Sequence, residues 1–281
     1  MAPSAGASTL LQNKSHRESM ELHQHSFLHY PNLTSLDLGS NSISSIHRGS
    51  FYSLSGLTEL NLENNKISSL ERQTFSGVTS LLSLDLHGNQ LCDVKQGTVD
   101  GLIHLTRLRI SGNALTVLHR GLFVSLRSLE TLYLENNQIT SMSRNIFKGL
   151  GHLHELDLSG NNLSWFPGSV FKPLSSLSDL LLNDNSIMQI KHTHFKSLVE
   201  LKVLSLSHNM LSEIDPGAFN KLSKLEALRL NGNHILKIGK HVFSLCTHIR
   251  EIDLSDNLIS TIEDSALVGL THLRVLKLNR T

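Results

Sequence analysis

Leu57-Thr58-Glu59-Leu60-Asn61-Leu62-Glu63-Asn64-Asn65-Lys66-Ile67 decides the fold, because its pattern returns at a fixed interval along almost the whole chain. The same frame reappears at Leu153, Leu156, Leu158, Asn161 and Leu163. Its asparagine recurs at Asn41, Asn65, Asn89, Asn113, Asn137, Asn161, Asn185, Asn209, Asn233 and Asn257, always 24 residues apart. Five residues after each asparagine comes an apolar residue, such as Ile46, Leu70 or Ile190. Ten residues after it comes an aromatic one: Phe51, Phe75, Phe123, Phe147, Phe171, Phe195, Phe219 and Phe243, with Val99 and Leu267 in the two remaining places. Self-similarity at such a period marks a solenoid in which each unit buries its apolar face against the next.

The segment Leu60-Asn61-Leu62 alternates with period two, so it reads as a short strand with leucines inward and the residues between them outward. Stacked units place these strands in one parallel sheet. Where the chain turns off the sheet, backbone N–H and C=O groups lose their ladder partners. An asparagine amide carries both donors and an acceptor, so a column of them can bridge adjacent coils. The return path is too short for a long helix and is expected to run through irregular turns or 3-10 pieces lined by phenylalanines. Because those rings need more room than the ~4.8 Å between strands, the stack curves with its sheet on the concave side.

This frame is the leucine-rich-repeat signature, and its phenylalanine-bearing 24-residue form resembles the typical repeats of extracellular proteins over residues 22–281. The expected fold is an α/β solenoid: a right-handed leucine-rich-repeat arc with a parallel concave β-sheet and an irregular or 3-10 convex side. The same frame serves Toll-like receptors, proteoglycan cores, neuronal adhesion receptors, hormone-receptor ectodomains and growth-factor carrier subunits. The unit Phe243-Ser244-Leu245-Cys246-Thr247-His248-Ile249 further resembles a cysteine-bearing repeat of the leucine-rich repeats and immunoglobulin-like domains family.

Residues 1–21 are expected to be disordered or a degenerate N-terminal segment, since Arg17 stands where an asparagine is due and Thr9, Gln12 and Lys14 where leucines are due. Residues 22–281 form the repeat domain, about ten full repeats with a partial one at each end and no cysteine caps. The frame breaks off at Thr281, which reads as a piece of a longer protein. Met1–Leu11 has neither the basic nor the apolar region of a secretory signal.

Lysine and arginine number 25 against 24 acidic residues, without a block of like charge, so bulk electrostatics names no partner. No apolar run reaches the ~18 residues of a membrane span. Cys92 and Cys246 lie several coils apart, too far for a disulfide, and both read as unreactive. Four glycosylation sequons occur; Asn32 and Asn162 sit beside the buried frame, where they could carry glycans, and the other two start at Asn13 and Asn279.

Function should reside in the outward strand residues. Arg107, Arg109 and Tyr133 bring together residue types enriched at interface centres, and Leu181, Val203 and Ala227 make an apolar patch beside Arg229. Each group has a plainer reading: Arg109 pairs across strands with Asp85, and single exposed apolar residues are ordinary. The two signs of charge are read as balanced on this face, which argues against a matrix protein presenting a charged surface to polymers.

His23-Gln24-His25 and His192-Thr193-His194 read as solvated structural residues rather than ligands, with no carboxylate at a ligand spacing, so neither a metal nor a cofactor is expected. No nucleophile, acid–base pair or phosphate loop fits the frame, so the chain is not read as an enzyme. The expectation is a protein–protein recognition module, the ligand-binding ectodomain of a receptor, adhesion protein or receptor regulator. It would lie outside the cell or on its surface, take a protein ligand or cell-surface receptor and no nucleic acid, and meet a membrane only through an anchor beyond this chain. The alternatives are a secreted matrix protein and an intracellular leucine-rich-repeat scaffold.

Overall fold

The computed structural model describes residues 19–281, so what was expected of residues 1–18 lies outside the described part. Within it, Met20–Leu22 is a strand paired in parallel with Ile43–Ile46, and the boundary expected at Leu22 falls inside that strand.

Eleven three-residue strands form one parallel sheet in chain order: Ser35–Asp37, Glu59–Asn61, Ser83–Asp85, Arg107–Arg109, Thr131–Tyr133, Glu155–Asp157, Asp179–Leu181, Val203–Ser205, Ala227–Arg229, Glu251–Asp253 and Val275–Lys277. Each residue faces its counterpart 24 positions on, as in Leu36↔Leu60 and Leu156↔Leu180. Period-two alternation puts the central leucine of each strand inward, and Leu84, Leu108, Leu132 and Leu156 are fully buried. Short parallel pairs such as Val117–Leu118 with Ser141–Met142 add a second line of contact where the chain leaves the sheet. Among the described residues the return side holds turns and no helix.

The asparagine column works by hydrogen bonds in two directions. Asn137 Nδ2 donates to Leu134 O in its own coil and to Ile110 O in the preceding one, and its Oδ1 accepts from Leu115 N. The same bonds recur from Asn65 to Asn257. Asn41, on the first full coil, is exposed and its amide reaches only the carbonyls of Leu38 and Gly39.

This inward turn of the amide depends on a left-handed residue just before it. Asn64, Asn136, Asp184 and Asp256 have φ between 52° and 55°, and Gly88, Gly112, Gly160 and Gly232 fill the same place in other coils. Only glycine, and to a lesser degree asparagine and aspartate, take this conformation at low cost.

Behind the sheet the phenylalanines stack nearly parallel. Phe27, Phe51 and Phe75 stand 5.9 and 6.1 Å apart, and Phe195 and Phe219 6.5 Å. That spacing exceeds the ~4.8 Å between strands. The difference accumulates coil by coil and bends the array toward its sheet.

Candidate functional site

The concave face is the part of each coil that the frame leaves free. Its outward residues form two columns, one starting at Ser35 and one at Asp37, held in register by the strand pairing. Together they carry Asp37, Glu59, Asp85, Glu155, Asp157, Asp179, Glu251 and Asp253 against Arg107, Arg109, Arg229 and Lys277. This face is therefore acidic although the chain as a whole is nearly neutral. The balance expected from the sequence fails because the remaining cations lie on the flanks and the return side.

Arg109 is held within the protein. Its Nη1 lies 3.8 Å from Asp85 Oδ2, its Nη2 3.8 Å from Glu135 Oε1, and its Nε donates to Ser111 Oγ at 3.0 Å. Glu135 keeps its second oxygen buried and without a partner. Tyr133 lies beside this cluster and donates its hydroxyl to Glu155 Oε2 at 2.9 Å. Burial raises the phenol pKa, and the Glu155 carboxylate adds to the shift by accepting its proton and by its charge. The Arg107 side chain is exposed, with no ion pair or hydrogen bond among the described residues, and its charge acts on Tyr133 in the opposite sense. Of the three residues that the sequence groups together, Arg107 and Tyr133 face outward, whereas Arg109 is engaged by carboxylates on either side. Between Glu59, Arg107 and Glu130 a shallow hollow of about 230 Å³ opens at the sheet margin.

Leu181 and Val203 lie on adjacent strands but in different columns: Leu181 faces Ser205, and Val203 faces Ala227. All three apolar residues are half-buried, so the patch is smaller than the sequence implies. Arg229 stands opposite Asp253, but Asp253 is taken by Ser255 and Lys277, and Arg229 forms no ion pair among the described residues. Those partners hold the Asp253 carboxyl below its usual range against the opposing effect of burial.

Asn32 and Asn162 are both exposed, as their sequons require. Three residues beyond Asn162, Trp165 is 64% exposed and Met188 on the next coil 58%, flanking a depression lined by Phe166, Pro167 and Lys191. Sequence reasoning missed this patch; the signal was a tryptophan at a position that carries Ser141 or Gln189 in neighbouring coils.

The histidines separate by environment. His192 pairs with Asp215 at 3.1 Å in the open. His194, expected to be solvated, is buried against Phe166, and burial lowers its pKa to about 4. Its Nδ1 accepts the backbone N–H of Lys191, which requires the neutral ring. Cys246 is fully buried, and burial raises its thiol pKa to about 12. Cys92 is exposed, unlike Cys246, and both thiols are free. Among the described residues no helix is long and apolar enough to cross a membrane.

Comparisons with known proteins agree with this architecture. The structure is similar to a chain of the Drosophila Toll–Spatzle complex, at 28% identity and a TM-score of 0.82, over 89% of this chain. The glycosylated form of that complex gives 28% identity and a TM-score of 0.87 over 94% of this chain. The present chain spans only about a third of the length of those relatives, 33% and 35%. A chain of the TLR13–ssRNA13 complex shares the fold, at 21% identity and a TM-score of 0.57 over 92% of this chain and 61% of that one. No curated protein matches the sequence. The leucine rich repeat family model matches in six stretches, 22–91, 92–139, 103–163, 128–187, 175–235 and 227–281, and the chain belongs to the leucine-rich-repeat family.

Proposed function

We propose that the chain is the recognition part of a cell-surface receptor, adhesion protein or receptor regulator, and that its concave sheet binds a protein ligand with a basic face. The observation that carries this reading is the acidic concave surface of a nearly neutral protein, with the Arg107 side chain left unpaired on it beside Tyr133. A field of carboxylates steers a basic partner inward and repels a polyanion, so the ligand is a protein rather than a nucleic acid. Among the described residues the concave face is an open surface, which suits a binding module. Likeness to a chain of the Toll–Spatzle complex supports the protein-ligand reading, and the exposed sequons at Asn32 and Asn162 support an extracellular location. Exposed, free Cys92 favours a second reading, an intracellular scaffold in a reducing compartment.

The test begins with the chain expressed behind a heterologous signal peptide, its mass compared before and after removal of N-glycans. Secretion with a glycan at Asn32 or Asn162 supports the extracellular reading; efficient folding in the cytosol together with bare or failed secretion overturns it. The secreted protein is then presented to an array of secreted and cell-surface proteins. Arg107→Ala with Tyr133→Ala is expected to weaken a true ligand by roughly 30-fold or more, the scale of an interface centre, whereas Lys148→Ala on the return side leaves it unchanged. Ligands indifferent both to that pair and to added salt would place recognition elsewhere.

A further inference from the structure

The first coils hold a cluster that the recognition surface does not use. Glu21 lies on the strand Met20–Leu22, His23 follows that strand, and His47 occupies the same position as His23 one coil later. The two imidazoles stack, with centroids 4.8 Å apart and planes 13° from parallel. Both aim Nε2 at a single carboxylate oxygen: Glu21 Oε2 is 3.3 Å from His47 Nε2 and 3.7 Å from His23 Nε2. All three atoms lie within 4.8 Å of one another. Coil stacking supplies His47, and Glu21 sits two residues before His23.

Elsewhere this flank pairs one base with one acid. His119 meets Asp93 at 3.0 Å and Lys237 meets Glu263 at 2.7 Å. Only at the first coil do two imidazoles converge on one carboxylate, and no other group of three such ligands occurs among the described residues. A divalent cation satisfies all three groups at once. Tetrahedral zinc holds nitrogen and oxygen ligands at ~2.0–2.1 Å, which places ligand atoms roughly 3.4 Å apart. The Glu21–His47 pair already has that separation, and His23, whose ring lies stacked on His47, must swing its Nε2 out of the stack toward the same point, which its exposed side chain leaves it free to do.

We propose that Glu21, His23 and His47 form a zinc-type metal site, with water completing the coordination, that ties the first strand to the first full coil. Two histidines and a carboxylate with an open fourth position are a borderline-soft donor set, suited to zinc and neighbouring transition metals rather than to calcium or magnesium. The site spans the junction where Met20–Leu22 is attached to the array through a single parallel pair, so the metal acts as a clip at the N-terminal end.

The test titrates the full chain, without an affinity tag, with Zn²⁺ by calorimetry and with Co²⁺ by visible absorption. One equivalent should bind, with the tetrahedral Co²⁺ spectrum, and raise amide protection at residues 20–28. His23→Ala and His47→Ala should each weaken that binding at least tenfold and abolish the added protection, while His25→Ala, next to the cluster but outside it, leaves both intact. Unchanged circular dichroism in the absence of metal keeps a folding defect apart from a loss of ligands, and Glu21→Gln, which retains the shape without the charge, should weaken binding less than either histidine change. Absence of stoichiometric binding overturns the proposal. So does binding that survives both histidine substitutions, which would assign the metal to other histidines on the surface.

Discussion

Replacing Asn137 with alanine removes the amide that joins two coils. In the native structure it is 7% exposed and satisfies the carbonyls of Ile110 and Leu134, at 3.0 Å each, and the N–H of Leu115 at 3.1 Å. The substitution strips the Leu115 N–H of its partner, whereas Ile110 O keeps the Asn113 amide and Leu134 O keeps that of Asn161. A bare buried N–H costs about 1–3 kcal/mol, and each of the two lost amide–carbonyl bonds about 0.5–1 kcal/mol more. The vacated space is polar and about the size of a water molecule, so partial rehydration keeps the sum at roughly 2–4 kcal/mol. Asn41→Ala should cost only about 1 kcal/mol, because that amide is exposed and reaches only carbonyls of its own coil. Stability in a stacked array is a sum of neighbour terms, so a single melting midpoint can miss a local defect. The assay is therefore urea unfolding combined with hydrogen exchange resolved along the chain. Protection should fall in the two coils that Asn137 bridges, around Ile110 and Leu134, while holding near Asn233. A cost for Asn137→Ala below about 1 kcal/mol, or no larger than that of Asn41→Ala, would refute the account of the asparagine column as a bridge between coils.

Three further substitutions probe the return side. Burial, reinforced by the charge of Lys191, holds the His194 pKa near 4 against an ordinary 6.5, so the unfolded chain takes up a proton that the folded one refuses between those values. Its contribution is complete above pH 6.5 and declines as pH falls toward 4, by about 2–3 kcal/mol at pH 4.5. His194→Gln should flatten the acid limb of a urea-midpoint series between pH 7.5 and 4.5, and an unaltered slope would contradict the buried neutral ring. Gly77 and Gly101 share a positive φ, 102° and 94°, but a Cβ on Gly77 would lie 2.6 Å from Tyr52 Cα, whereas nothing lies within 4 Å of one on Gly101. Gly101→Ala should cost about 1–2 kcal/mol for conformation alone and Gly77→Ala at least about 2 kcal/mol more, read as the difference in unfolding free energy. Equal costs would mean that the backbone at Tyr52 yields freely.

The frame was legible because its period never slips. Once Leu60 and Leu62 point inward, every equivalent residue does too, and the asparagine bridge follows from the unmet backbone groups beside the strand. The left-handed position before each asparagine carried a signal that went unread, since Gly88, Gly112 and Gly160 alternate there with Asn64, Asn136 and Asp184. Contacts between equivalent positions were equally readable: Asp85 opposite Arg109 follows from counting 24. Diagonal contacts were not. Glu135 reaches Arg109, Glu155 reaches Tyr133 and Glu21 reaches His47, each at an offset of 22 or 26 residues set by side-chain length and rotamer. Periodicity fixes where a Cα lies but not how far a carboxylate extends from it. Burial off the strands was hidden for the same reason, and it separates Cys92 from Cys246 and His194 from His192.

These diagonal contacts also decide which charges remain for a partner. Arg109 sits on the concave face, yet Asp85 and Glu135 already pair with its guanidinium and Ser111 accepts from its Nε, so a ligand that engaged it would compete with those contacts. Arg107 requires no such exchange, and Arg229 is left unpaired because Lys277 occupies Asp253. The two stand five strands apart, roughly 24 Å along the sheet at ~4.8 Å per strand. A ligand that meets both must cover the acidic strands between them, where Glu155, Asp157 and Asp179 lie. Such a ligand needs basic groups at its centre and acceptors at its two ends. That pattern is more demanding than net charge, and it is carried by side chains that the repeat leaves free to vary.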